Sequence, residues 1–185
     1  MARDPRYWRE SVQEAIFALG YLRPEAEGKL MELMPLAQVR GPRTAAAAFR
    51  AQGKQLSAND KKRLGLRQSA AISVELVDDL TPKGLLQPLS AHEITLQRAV
   101  FTERRLRAVA AGLETRADYY LYATGSTGCP GCARLKTQRA GPGEVDPSHP
   151  LDCIHEACPV GIVPETDHRL RYQMHQGPPT DLGGE

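Results

Sequence analysis

The sequence predicts a mainly α protein: a multi-helix N-terminal domain followed by a small, loop-rich module that contains β-structure. Three observations predict it. Through the first 116 residues, Pro and Gly punctuate segments whose apolar side chains recur at helical spacing. Next comes Ala117-Asp-Tyr-Tyr-Leu-Tyr-Ala123, a run with the aromatic enrichment of a strand. Beyond it periodicity stops, and all four cysteines of the 185-residue chain fall between positions 129 and 158. The predicted division is a helical domain over 1–116, a metal-binding module over 117–176 and an extended tail over 177–185.

Asp4 is placed to cap a helix opened by Pro5, because proline at the first helical position lacks only an N–H that would be unpaired anyway. Trp8, Val12, Ile16 and Leu19 recur on one face, and Gly20 is a natural stop. Pro24 opens a second helix with Leu30, Leu33 and Met34 inward, expected to end before Pro35. Pro42 opens a third, through the alanines to Phe49, closed by Gly53. Ser57-Ala-Asn-Asp60 has the form of a capping box and starts a short basic turn ending at Gly65.

From Ser69 to Leu80, the spacing of Ile72, Leu76, Val77 and Leu80 predicts a helix, and Val74 spoils strand alternation. Thr81-Pro-Lys-Gly84 is a turn. Ser90-Ala-His-Glu93 is a capping box for the longest helix, expected to reach about Ala111 with Gly112 as its C-cap. Ile94, Phe101, Leu106, Val109 and Ala110 are its candidate core positions. The end from Gly177 to Glu185 has the composition of a disordered tail, expected to serve as an arm that touches neighbouring chains in an assembly.

No stretch approaches the length of a membrane span, and the first residues lack the apolar core of a secretory signal. A reducing cytosol is therefore expected, where clustered cysteines more often bind metal than pair as disulfides. The net charge of +2 conceals an asymmetry. Residues 140–185 carry eight acidic side chains and two arginines, leaving 22 basic and 14 acidic groups in 1–139. A basic body with an acidic end is compatible with a nucleic-acid partner or packing in a charged assembly, but the excess is modest and arginine-rich helix solvation is the favoured explanation.

The cysteines carry the chemistry. Cys129-Pro-Gly-Cys132 and Cys153-Ile-His-Glu-Ala-Cys158 are two close thiol pairs separated by twenty residues. Each short spacing lets one turn present two sulfurs to one ion, and the longer loop brings the second pair to the remaining corners of a tetrahedron. Zinc is the usual occupant, bound here by Cys129, Cys132, Cys153 and Cys158 as a closed structural site. His149 or His155 is an alternative to one sulfur, and an iron–sulfur cluster is an alternative to zinc. The intervening segment has too few apolar residues for a core, so metal binding would supply its folding free energy. Arg134, Lys136 and Arg139 lie close in sequence and are expected to offset the charge of a thiolate centre.

Other readings of these cysteines fit less well. Cys-Pro-Gly-Cys after a strand resembles a thioredoxin-like redox motif, but no strand pair is predicted after Cys132. An HNH-type nuclease needs a positioned Asn, and none follows Asn59. No phosphate loop, Ser-His-Asp set or paired carboxylates on one helix is present, so no catalytic residue is assigned.

Ala123-Thr-Gly125, Cys129-Pro-Gly-Cys132, His149-Pro150, Cys153, Cys158 and Val163-Pro164 together resemble the C-terminal cysteine module of some phage and prophage proteins, including head-morphogenesis (minor capsid) proteins. Leu64-Gly-Leu-Arg67 through Leu80-Thr-Pro-Lys-Gly84 is similar to small prophage-type proteins with the same kind of ending. The chain departs from the head-morphogenesis pattern in its Cys-x4-Cys spacing and in lacking a long upstream helical region. The resemblance implies a metal-binding module and a phage context, but no activity. The expectation is a non-enzymatic structural component of a virion, such as a minor head, neck or accessory capsid protein, made in the bacterial cytoplasm. Its partners would be virion proteins or copies of itself, with room for non-specific DNA contact through Lys61, Lys62, Arg63 and Arg67. The alternative is a zinc-containing nucleic-acid-binding regulator using Lys61, Lys62, Arg63, Arg67, Arg98, Arg104, Arg105 and Arg107. The scarcity of aromatic residues in these basic segments argues against single-strand binding.

Overall fold

A computed structural model of the chain describes residues 5–124, 128–136, 138–150 and 152–167. Asp4, with the cap expected of it, and residues 177–185, with the expected arm, lie outside the described residues. The described elements are α1 (Pro5–Leu19), α2 (Glu27–Arg40), α3 (Pro42–Ala51), α4 (Ala58–Arg63), α5 (Val74–Asp78), α6 (Ala91–Glu114), β1 (Tyr119–Ala123), α7 (Pro130–Leu135), β2 (Arg139–Ala140) and β3 (Gly161–Glu165). The protein is mainly α with a small antiparallel sheet and a cysteine-bearing C-terminal region, as the sequence predicts. No described helix is long and apolar enough to cross a membrane.

The helical core forms where α1, α2, α3 and α6 turn their apolar stripes toward one another. Val12, Ile16 and Leu19 of α1 meet Leu30 and Met34 of α2, Ala45 and Ala46 of α3, and Leu96 and Val100 of α6, with Trp8 packed at the edge. α2 does not stop at Pro35. It continues to Arg40, because Pro35 lies on the exposed face and Ala37 extends the buried row of Leu30 and Met34.

The helix expected over 69–80 is shorter than its periodicity suggests. Residues 72–74 pair as an extended segment with 54–56: Leu56 N donates to the Ile72 carbonyl at 3.0 Å, and Val74 N to that of Lys54 at 2.8 Å. Ser73 then caps α5, its hydroxyl accepting from Leu76 N at 3.3 Å. Ser57 caps α4 in the same way, accepting from Asp60 N at 3.2 Å.

α6 is the spine of the molecule, and it departs from expectation at both ends. Ser90 already has helical dihedrals and makes no cap bond; its hydroxyl turns to Gln87 instead. Gly112 lies inside the helix, which runs on to Glu114. It is there for close packing, since a Cβ would sit 2.5 Å from the Tyr120 ring of β1. The buried face of α6 is His92, Thr95, Leu96, Ala99, Val100, Glu103 and Arg105, whereas Ile94, Phe101, Leu106, Val109 and Ala110 are only partly buried.

The sheet has the order β2-β1-β3, all antiparallel, with Tyr120 opposite Ala140 and Leu121 opposite Val163. It leans on the C-terminal half of α6. Ala117, Tyr120 and Ile162 form a small apolar cluster with Ala108 and Val109, and Tyr120 donates its hydroxyl to the Val109 carbonyl at 3.1 Å. β2 and β3 were not anticipated. Gly161 and Pro164 hide β3 from pattern reading, yet Pro164 is tolerated because β3 is an edge strand with one side unpaired. The sheet formed by the described residues is antiparallel throughout, so it is not the framework of a thioredoxin-like fold.

Candidate metal centre

Chain topology brings the two cysteine pairs together. β1 runs toward the first pair and β3 runs away from the second, and Ala123 lies opposite Gly161 in the register. Both pairs therefore emerge at one end of the sheet. Cys129 is the extended residue before α7, Pro130 is the first helical residue, and Cys132 is in the first turn. Proline here fixes the turn without removing a needed N–H.

Gly131 lets the second pair approach. Its N–H donates to the Asp152 carbonyl at 3.2 Å, and a Cβ on it would meet the 152–153 backbone at 2.7 Å. Cys153 N closes its own turn on the Pro150 carbonyl at 3.0 Å, and Ile154 N points at Cys129 Sγ from 3.4 Å.

The donor atoms fit one metal ion. Sulfur separations are 3.7 Å for Cys129–Cys153, 3.7 Å for Cys132–Cys153 and 3.6 Å for Cys132–Cys158. A tetrahedral ion with metal–sulfur bonds of about 2.3 Å has sulfur–sulfur edges of about 3.8 Å. His155 Nδ1 is 3.6 Å from Cys132 Sγ and 3.3 Å from Cys153 Sγ, against an ideal sulfur–nitrogen edge of about 3.5 Å. The ligand atoms of Cys129, Cys132, Cys153 and His155 all lie within 4.8 Å of one another, and His149, Cys153 and Cys158 form a second such group. Three of the predicted cysteines share one group with His155, while Cys158 lies 3.6 Å from Cys132 and groups with Cys153 and His149.

His149 is held differently. Its Nε2 is 2.8 Å from the His155 carbonyl and its Nδ1 3.1 Å from that of Pro150, so the ring braces the loop that carries His155. Burial, followed by the positive charge of Arg98, pushes its pKa below the ordinary imidazole value.

Burial and thiol crowding oppose ionisation of most of the cluster. Burial, followed by contacts with Cys158 and Cys129, drives Cys132 well above the ordinary thiol value, and Cys153 rises to about 11 with burial as the main cause. At Cys129 burial acts in the same direction but is outweighed. Backbone N–H groups of Cys132 and Ile154, with the neighbouring thiols, bring that sulfur down to about 6. One thiolate is accommodated by the backbone, and a full thiolate set requires a cation at its centre.

Sequence reasoning missed the cations that reach this region. Arg105 of α6 is 1% exposed. Its Nε donates to the Pro147 carbonyl at 2.7 Å, one terminal nitrogen to Cys158 and Val160 at 3.1 and 3.3 Å, and the other to Thr102 Oγ1 at 3.0 Å. Arg98, one heptad earlier, holds Glu14 of α1 at 2.6 Å and donates to the Glu156 carbonyl at 3.0 Å. Tyr21 donates its hydroxyl to the Glu156 carboxylate. The available signal was the seven-residue spacing of Arg98 and Arg105, which puts them on one face of α6.

The nearby basic residues have other partners. Arg134 pairs with Asp152, and Arg139 stacks on Tyr119 with its guanidinium carbon 4.8 Å from the ring centre. Among the proposed nucleic-acid contacts, Arg107 pairs with buried Glu103, Lys61 donates to the Gln68 carbonyl, and Arg63 pairs with Asp60. Lys62 and Arg67 are exposed. No protein-family model, curated protein or solved structure matches this chain.

Proposed function

We propose that the protein is a non-catalytic structural component whose C-terminal module is stapled by one zinc ion. The carrying observation is the spacing of the donors: sulfur separations of 3.6–3.7 Å are those a tetrahedral zinc imposes. Cys129, Cys132 and Cys153 supply three ligands. The fourth is Cys158, which completes the all-thiolate set read from sequence, or His155, whose donor lies within 4.8 Å of all three sulfurs. Either set fills four positions with protein atoms, the arrangement of a structural site.

Cobalt substitution tests both the centre and its ligands. Full-length protein refolded with Co²⁺ should show the sulfur-to-metal charge transfer and intense visible bands of a tetrahedral thiolate site. His155→Ala and Cys158→Ser should then separate the sets: loss of a true ligand alters the visible bands, and loss of a bystander does not. No thiolate charge transfer in the wild-type protein would remove the reading.

The virion role rests on the sequence resemblance in the cysteine module. Mass spectrometry of purified particles from the encoding phage or prophage should find the chain in fixed proportion to the capsid proteins; its absence from particles would reject that role. The nucleic-acid alternative is weakened because Arg105 is buried and Arg98 and Arg107 are held by Glu14 and Glu103.

A further inference from the structure

We propose that Arg105 is the buried counter-cation of the metal–thiolate centre, so that metal occupancy and docking of the cysteine module on α6 form one equilibrium. The inference rests on the metal reading above and extends it to the helical domain.

An arginine with so little exposure ordinarily has a carboxylate against it, because a guanidinium removed from water needs compensation. No described carboxylate forms an ion pair with Arg105. Glu14 acts on Arg105 through its charge but is bound to Arg98, and Glu103 binds Arg107 and Gln38. The guanidinium instead donates to the carbonyls of Pro147, Cys158 and Val160 and to Thr102. Carbonyls and a hydroxyl satisfy its N–H groups but carry no net charge.

Ahead of Glu14, which Arg98 shares, the favourable charge on Arg105 comes from the cysteines, with Cys158 first. Four thiolates around a divalent ion carry a net charge of −2, and three thiolates with a neutral imidazole carry −1. Either provides what Arg105 lacks. That charge is fixed at the centre only while the metal holds the ligands together. The backbone contacts make the coupling mechanical as well. Arg105 grips the loop before His149, the Cys158 carbonyl itself and the lead into β3, so one side chain of α6 holds three parts of the chain around the centre. Arg105 is therefore a positioning residue that acts through the ligands.

The test uses full-length protein, zinc and a competing chelator of known affinity, comparing wild type with Arg105→Met and Arg105→Lys. Methionine removes charge and donors while keeping much of the volume; lysine keeps the charge. Arg105→Met should weaken zinc binding by at least about tenfold, within the range for groups that orient metal ligands. Arg105→Lys should recover a clear part of that loss. Methionine binding zinc as tightly as wild type would overturn the inference while leaving the metal centre standing. Equal weakening by lysine and methionine, with wild-type circular dichroism in both, would overturn the charge role. Wild-type protein binding no zinc would remove the metal reading and this inference together.

A second measurement needs no variant and decides the matter if Arg105→Met does not fold. Chelating zinc from wild-type protein should accelerate amide hydrogen exchange in α6 around Thr102–Val109. Unchanged exchange there, with faster exchange confined to 129–160, would show that the module and the helix are not coupled.

Discussion

At the scale of single residues, close approach matters as much as ligand identity. Gly131 admits the 152–153 backbone to 2.7 Å from where a Cβ would stand, so Gly131→Ala must push the two cysteine pairs apart. Such overpacking costs about 1–3 kcal/mol. We expect denaturation of the zinc-loaded variant to show that loss, together with weaker zinc retention against a chelator. A wild-type melting curve would mean that the 152–153 backbone relaxes freely. The cysteines and His155 were legible because ligand chemistry is carried by residue type and spacing. Arg105 was not, because an arginine in a basic helix looks solvated until the chain folds over it.

Asp79 makes a residue-scale prediction of a different kind. Its carboxylate accepts from Lys29 at 2.6 Å and lies 3.4 Å from His92 Nε2. Burial works against its ionisation, but the hydrogen bonds from His92 and Lys29 and the charge of Lys29 outweigh it, and its pKa lies below the ordinary 3.8. The native state thus prefers the ionised form more than the unfolded chain does. That stabilisation is fully present above the unfolded value and is lost as pH falls through the lower native value. Asp79→Asn should therefore destabilise the protein at neutral pH and flatten the dependence of stability on pH below about 4. Urea titrations at pH 3 and pH 6 check this. An unchanged slope would show that other carboxylates dominate.

At the scale of elements, α6 organises the molecule by facing two ways. One part of its surface closes the core of α1, α2 and α3, and the remainder supports the sheet and the cysteine loops. Gly112 marks the second contact. Alanine there would raise helix propensity by about 1 kcal/mol, yet its Cβ would lie 2.5 Å from Tyr120. We expect the clash to win, so that Gly112→Ala is less stable than wild type by about 1–3 kcal/mol in chemical denaturation. A stabilised variant would mean that Tyr120 swings away easily.

Helices α1 and α3 and the strand of tyrosines were readable because local pattern and tertiary burial agree there. The failures have physical causes. Pro35 does not break α2 because it lies on the exposed face while Ala37 extends the buried row, and Ser90 does not cap α6 because its dihedrals are already helical. Residues 72–74 bond across to 54–56 in place of the expected helical turn. β3 exists because β1 needs a partner, a long-range requirement that Gly161-Ile-Val-Pro-Glu165 does not announce.

At the scale of the whole molecule, the helical core and the cysteine cluster are separate apolar assemblies joined through α6. The helical core is the larger and needs no metal for its burial. Cys153→Ser should therefore weaken zinc binding roughly a hundredfold or more, one ligand's share of a structural site. It should also speed proteolysis between 133 and 152 while leaving most far-ultraviolet helical signal in place. Global loss of helix would show that the centre holds the entire fold.

Closure of the cysteine cluster by one zinc ion is tested most directly by metal content measured together with thiol reactivity. Protein purified without chelator should contain about one zinc per chain by elemental analysis, and its thiols should resist a thiol reagent until zinc is chelated or the chain is denatured. Metal-free protein, folded and with four freely reacting thiols, would contradict the account.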